Sequence, residues 1–262
     1  MVNRPMTSAP KKIRLDLLVC ERGLAASREK AQALIMAGEV WSLERRLDKP
    51  GQTVAADLPL SLRGESLPFV SRAGLKLDHA LNVFGVDVRE RVALDVGAST
   101  GGFTDCLLQR GAKHVFALDV GYGQLDVKLR HEPRVTCLEK VNVRNLTANE
   151  VATWSGPAGE IDLVTIDVSF ISLEKVLLPL RLLMRPKPTT WILLFKPQFE
   201  VGPEALGNGG VVRRPEFTVN ALNQFRIFME NHEFRYLHGP ESSPIAGKKS
   251  GNLEYLCHYE TL

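Results

Sequence analysis

The chain lacks a long apolar run: its hydrophobic stretches, such as Trp191 to Phe195, are strand-sized. That falls far short of the roughly 20 residues a spanning helix needs, so a transmembrane segment is excluded. Residues Met1 to Arg14 are polar, with Pro, Lys and Arg and no apolar stretch, so no secretory signal is expected. The four cysteines, Cys20, Cys106, Cys137 and Cys257, are widely spaced and make no C-x-x-C pair. Such spacing argues for reduced thiols and against a metal site. Internal repeats and low-complexity tracts are also missing. These absences together predict a soluble, cytoplasmic protein that holds no metal and does not act through a membrane.

What is present is enough for a sizeable core, since 44% of the 262 residues are hydrophobic, and one or two domains fit that length. The net charge of +3 is unevenly placed. Residues 1–70 carry 11 Lys/Arg against 8 Asp/Glu, whereas residues 71–262 carry 22 of each. A basic excess confined to the first quarter reads either as a solvated helix face or as a footprint for phosphates.

Ile13 to Arg22 places Leu15, Leu18 and Val19 on one helical face and stops at Gly23. Ser27 is a candidate N-cap for a second helix, with Ala31, Leu34 and Ile35 facing inward and Gly38 ending it. A short strand begins at Val40-Trp41, Lys49-Pro50-Gly51 reads as a turn, and a further strand lies around Thr53-Val54. The segments Arg14-Leu15-Asp16-Leu17-Leu18-Val19, Gly23 to Val40 with Ser27-Arg28, and Lys49-Pro50-Gly51 together resemble an S4-type RNA-binding domain. This α+β module would occupy residues 1–61, with 1–12 flexible and 62–72 as a connector. The resemblance implies RNA contacts from Arg14, Arg22, Arg28 and Lys30. One departure is Ser42-Leu43-Glu44-Arg45-Arg46, where a glycine turn is usual, so a longer or irregular hairpin is expected there.

The remainder alternates strands (near 91–96, 114–119, 134–138, 161–167, 190–196, 233–238 and 253–259) with helices (near 73–85, 102–110, 173–184 and 216–231). Alternation predicts a largely parallel α/β sheet covered on both faces, and the last two strands, with no helix between them, an antiparallel edge pair. The first strand runs into Asp95-Val96-Gly97-Ala98-Ser99-Thr100-Gly101-Gly102-Phe103, a turn that lets backbone approach a ligand closely. Its Gly-x-x-x-Gly-Gly spacing is not G-x-G-x-x-G, which argues against a dinucleotide and an NAD-dependent dehydrogenase. Asp119, at the end of the next strand, is placed to accept from ribose hydroxyls. The pattern suits S-adenosylmethionine, with Asp95 toward the methionine end and Asn142 either near the adenine edge or simply in a turn.

Asp167 and Lys196 each close a buried apolar run, so each points out of the sheet's carboxyl edge, where open α/β folds bind ligands. Lys76 in Ser71-Arg72-Ala73-Gly74-Leu75-Lys76 and Glu254 in Gly251-Asn252-Leu253-Glu254 would, on spacing alone, be surface charges. Taken in order, however, Lys76, Asp167, Lys196 and Glu254 resemble the catalytic tetrad of FtsJ/RrmJ-like ribose 2′-O-methyltransferases. With the S4-type module in front, the whole arrangement is similar to the TlyA family. The resemblance implies a Rossmann-like sheet of seven strands over residues 73–262. It also implies S-adenosylmethionine as cofactor, held by Asp95, Gly97, Ser99, Gly101, Gly102, Phe103, Asp119, Asn142 and Asp167, and ribosomal RNA cytidines as substrate. In that reading Lys196 is either the general base or only a group that steers the hydroxyl, leaving proximity to supply the rate, Asp167 orients it, and Lys76 and Glu254 position the hydroxyl. Neighbouring cations and carboxylates push a lysine's pKa in opposite senses, so its net shift stays open. Lys248 and Lys249, before Glu254, would grip RNA phosphates, and the glycine-rich stretch from Val201 to Gly210 would close over the cleft. Two other readings stand beside this one: a membrane-acting haemolysin, the name some family members carry, and a catalytically silent RNA-binding protein.

Overall fold

The computed structural model describes residues 12–62, 67–184, 188–246 and 251–261. It divides into two compact units, Met1–Leu67 and Pro68–Leu262. In the first unit β1 (Lys12–Arg14) leads directly into α1 (Leu15–Glu21), followed by α2 (Arg28–Ala37), β2 (Val40–Ser42), β3 (Arg45–Arg46), β4 (Thr53–Ala55) and β5 (Ser61–Leu62). The Ser27 side chain accepts from the Lys30 N–H at the start of α2, and Gly38 at φ 80 ends it. Residues expected to open the first helix instead pair with β4, Ile13 opposite Val54. Most residues of the segment 1–12 lie outside the described residues; Lys12 is the first strand residue.

The β2–β3 hairpin corrects the expectation of a longer or irregular turn. Ser42 pairs with Arg45, leaving a two-residue loop. Leu43 takes the left-handed conformation, φ 50, that a glycine would adopt without cost. Leu15, Val19, Ala31, Ile35, Val40 and Leu47 form the core of this unit. At roughly 1.5–3 kcal/mol for each large side chain removed from water, that burial is what holds such short strands together.

The second unit runs α3 (Ala73–Phe84), β6 (Val92–Val96), α4 (Gly102–Gln109), β7 (His114–Asp119), α5 (Val127–Arg130), β8 (Val135–Glu139), α6 (Ala148–Ala158), β9 (Leu163–Ile166), α7 (Glu174–Leu183), β10 (Thr189–Phe195), α8 (Pro197–Glu200), α9 (Pro215–Asn231), β11 (Arg235–Ser242) and β12 (Tyr255–Thr261). It is a seven-stranded sheet in the order β11-β12-β10-β9-β6-β7-β8. Strands β10, β9, β6, β7 and β8 are parallel, and β12 is antiparallel to both β10 and β11. One apolar cluster packs α3, α4 and α5 on one face of the sheet, and another packs α6, α7 and α9 on the other. The unit also takes in part of the expected connector. Phe69 is buried in the α3–α4 cluster, and the Val70 N–H donates to Asp105 at 2.8 Å. Helices α5, α6 and α8 were not foreseen. Two are single turns, and α6 carries Gly156 and Pro157, which read as breakers.

The chain builds β6, β7 and β8 outward in one direction and β9 and β10 in the other. The topological switch point therefore falls between β6 and β9, where open α/β sheets form their binding crevice.

Candidate active site

Gly97 leaves β6 at that switch point with φ 83, and a Cβ there would stand 2.4 Å from the Asp167 carbonyl oxygen. The glycine is thus required both by its left-handed backbone and by the close approach of the β9 end. Asp167 follows β9, its N–H bonded to the Val96 carbonyl at 3.0 Å. Its Oδ1 lies 2.5 Å from Lys196 Nζ, and the Ser169 hydroxyl is 3.0 Å from the same nitrogen. Lys196 follows β10 and is buried.

Glu254 reaches the same edge by a different route. Because β12 is antiparallel to β10, with Tyr255 opposite Phe195, the residue that precedes β12 lies beside the one that follows β10. The strand begins two residues later than the sequence suggests, so Glu254 sits on its approach and not within it. Its buried carboxylate pairs with Lys76, buried on the first turns of α3. The structure therefore assembles all four tetrad candidates as two ion pairs, Lys76–Glu254 and Lys196–Asp167, at the sheet's carboxyl edge.

Cofactor candidates separate into those that face the crevice and those that support it. Asp119 ends β7 and accepts from the Ser99 N–H at 2.8 Å and the Gly121 N–H at 2.7 Å. Each carboxylate oxygen retains capacity for a further donor such as a ribose hydroxyl. Asp95 does not line the crevice. It is wholly buried, and its two oxygens accept from the Thr104 hydroxyl at 2.6 Å and the Thr165 hydroxyl at 3.0 Å. Burial pushes its pKa up to about 7, against the pull of those hydroxyls and with a smaller push from the Asp167 charge. Phe103 is likewise buried in the core beneath the loop. Gly101 and Gly102 serve packing: a Cβ would meet Leu129 Cδ1 at 2.2 Å and Ser71 Oγ at 2.3 Å respectively. The Asn142 side-chain oxygen accepts from the Arg144 N–H at 3.1 Å and caps a short 3-10 turn. The carboxylates beside the loop are Asp119 and Asp167, with no basic residue between Gly97 and Phe103. That set fits a cofactor with a sulfonium and an ammonium group, and it opposes a pyrophosphate.

Sequence reasoning missed Ser169 and Asn252. A hydroxyl two residues after Asp167 carries no distinctive signal, whereas an asparagine within Gly251-Asn252-Leu253-Glu254 could have been flagged. Asn252 is buried; its Oδ1 accepts from the Val212 N–H at 3.0 Å and its Nδ2 donates to the Gly210 carbonyl at 2.9 Å. The end of the glycine-rich stretch is thereby fastened to the segment that carries Glu254.

In the first unit Arg14 and Arg28 share one wholly buried partner. Asp16 Oδ2 lies 2.9 Å from each guanidinium and 3.0 Å from Gln32 Nε2. The Arg14 contact, with help from Gln32 and Arg28, holds the Asp16 carboxyl far below the usual range despite its burial. The arginine pair is thus held in place and half neutralised. Arg22 donates to the Ala56 carbonyl at 2.9 Å, and Lys30 is exposed. Lys248 and Lys249 lie outside the described residues.

Comparison with known proteins decides the family. Residues 69–260 match the FtsJ-like methyltransferase model, and residues 13–57 match the S4 domain. The TlyA protein of Mycobacterium tuberculosis, named a 16S/23S rRNA (cytidine-2′-O)-methyltransferase, is 41% identical over 253 residues, 96% of this chain and 91% of its own. The chain belongs to the TlyA family of FtsJ-like methyltransferases. YqxC of Bacillus subtilis, provisionally named an rRNA methyltransferase, is 47% identical over 253 residues, 97% of this chain and 86% of its own. A solved structure from Streptococcus thermophilus, provisionally described as a hemolysin, superposes with a TM-score of 0.72 at 41% identity, covering 97% of this chain and 90% of the other. As an FtsJ-like methyltransferase this TlyA-family chain takes its methyl group from S-adenosylmethionine, and the carboxylate-lined loop is where the cofactor chemistry fits.

Proposed function

We propose that this protein methylates a ribose 2′-hydroxyl of ribosomal RNA, on a cytidine, in the cytoplasm where ribosomes are assembled. The observation that carries the reading is the pair of buried ion pairs, Lys76–Glu254 and Lys196–Asp167, at the edge that carries the glycine loop. S-adenosylmethionine, when bound, supplies an electrophilic methyl group. In the transfer the ribose oxygen would bond to that methyl carbon as the S–CH3 bond breaks, leaving S-adenosylhomocysteine, while Lys196, as the neutral amine, would accept the proton released from the hydroxyl. Asp167 and Ser169, 2.5 Å and 3.0 Å from Nζ, aim Lys196 at the hydroxyl. Lys76 and Glu254 hold the nucleotide so that attack is in line, and this positioning supplies a large part of the rate.

Sequence-specific recognition of RNA targets unstacked nucleotides in single-stranded loops and bulges. Phe170, 87% exposed, with φ 64 and its ring 5.2 Å from that of Phe199, follows Asp167 by three residues. It provides a stacking platform for such a base. Binding by the S4 domain, through Arg14, Arg22, Arg28 and Lys30, brings the RNA to this edge. Among the described residues no helix is long and apolar enough to cross a membrane.

The test is transfer of labelled methyl from S-adenosylmethionine to purified ribosomal subunits. Wild type should label RNA, and Lys196→Ala should abolish labelling while binding the cofactor within about tenfold of wild type, the equivalent of roughly 1.4 kcal/mol. A larger loss of cofactor affinity would remove Lys196 from the proton-accepting role, and absence of label from both subunits would remove the proposed substrate.

A further inference from the structure

Arginines of the second unit fall into two groups. Eight of those described face a carboxylate, from Arg89 beside Asp87 to Arg235 beside Glu260. Arg72, Arg144, Arg213 and Arg214 have no carboxylate partner among the described residues. A guanidinium left without a carboxylate, in a unit where most are neutralised, is available to a phosphate.

Arg213 and Arg214 are set apart by how their backbone is held. Both are exposed, at the end of the glycine-rich loop. The Arg213 N–H donates to the Ala205 carbonyl at 2.9 Å, and the Arg214 guanidinium lies 4.8 Å from the Phe217 ring centroid. The loop closes on itself through the Gly207 N–H and Val211 carbonyl at 2.7 Å. Its link to the tetrad is Asn252, which receives the Val212 N–H and donates to Gly210 two residues before Glu254. Lifting the loop would strip partners from a buried amide, which is costly. The end of the loop that carries the arginines is therefore tied, through Asn252, to the segment that carries Glu254.

Resting on the RNA reading above, we propose that Arg213 and Arg214 form a phosphate grip for the RNA strand flanking the acceptor nucleotide. Asn252 is the positioning residue that ties this grip to Glu254. Grip on the backbone one loop away then fixes where the 2′-hydroxyl falls, which is how phosphate contacts set register without reading sequence.

The full chain, titrated with a single-stranded RNA oligonucleotide between about 50 and 200 mM salt, tests the grip. Arg213→Gln/Arg214→Gln should flatten the slope of log affinity against log salt by about 1.4, the share of two phosphate contacts on a single strand. Cofactor affinity, measured by calorimetry, should not change. An unchanged slope overturns the grip. Asn252→Ala should lower kcat on ribosomal subunits at saturating RNA with cofactor affinity retained, and Asn252→Asp, which keeps the acceptor for Val212, should restore part of it. Unchanged kcat in Asn252→Ala overturns the positioning role. Labelled RNA with an unchanged slope leaves the proposed function standing without the grip. An arginine-dependent slope with no label on either subunit keeps the grip and removes the function.

Discussion

Two buried carboxylates, Asp16 and Asp95, do opposite things, and the difference lies in their partners. Asp16 faces two guanidinium groups and stays ionised, whereas Asp95 faces only hydroxyls and is held near neutrality by burial. Its folded pKa, about 7, exceeds the ordinary 3.8, so the native state binds the proton more tightly than the unfolded chain does. The stability this contributes is complete below about 3.8 and is lost as pH rises through about 7. His258, lowered to about 4 by burial, acts in the other sense over part of that window, so the comparison must be with a variant. Asp95→Asn should flatten the fall in Tm between pH 4 and 7 relative to wild type, as followed by thermal melts across pH. A parallel pair of curves would show that Asp95 titrates normally. Asp95 was legible as a strand-end acid, but its burial beneath Thr104 and Thr165 was not, because both hydroxyls come from elements whose packing only the fold defines.

At the scale of elements, the glycine turn was legible because its constraint is local: β6 must end and α4 must begin within a few residues. What Gly97 touches is not local. Gly97→Ala would force a left-handed φ on a residue with a Cβ and drive that carbon against the Asp167 carbonyl. These costs together are roughly 2–5 kcal/mol. The variant should melt lower and bind S-adenosylmethionine more weakly, as differential scanning fluorimetry and calorimetry would read. Normal cofactor affinity would mean that the loop relaxes without disturbing β9. The Leu43 hairpin shows the limit of turn chemistry as a guide. The pairing of Trp41 with Arg46 and Ser42 with Arg45 closes a two-residue loop although the favoured residue is missing.

For the whole molecule, the two units carry separate cores and unequal charge. Residues 68–262 hold equal numbers of acidic and basic side chains, so the basic excess belongs to the first unit. A chain beginning at Pro68 should keep its affinity for S-adenosylmethionine yet bind RNA more weakly and with a shallower salt dependence. Filter binding across salt alongside calorimetry of the cofactor measures both. An RNA affinity equal to that of the full chain would take the S4 domain out of substrate capture.

Taken alone, the sequence determined the alternation of strands and helices and the glycine turn, and it offered Lys76, Asp167, Lys196 and Glu254 as tetrad candidates. The alternation and the turn are written in short-range periodicity and turn residues, and Asp167 and Lys196 in charges that close apolar runs, whereas Lys76 and Glu254 stand out only through the resemblance to the family's tetrad. Only the tertiary structure decided that Lys76 meets Glu254 and Lys196 meets Asp167, that Asp95 and Phe103 support the crevice from below, and that Asn252 fastens the glycine-rich loop. Those pairings span up to 178 residues of chain. They follow from strand order and from the antiparallel register of β12 on β10, which side-chain patterns along one segment do not encode.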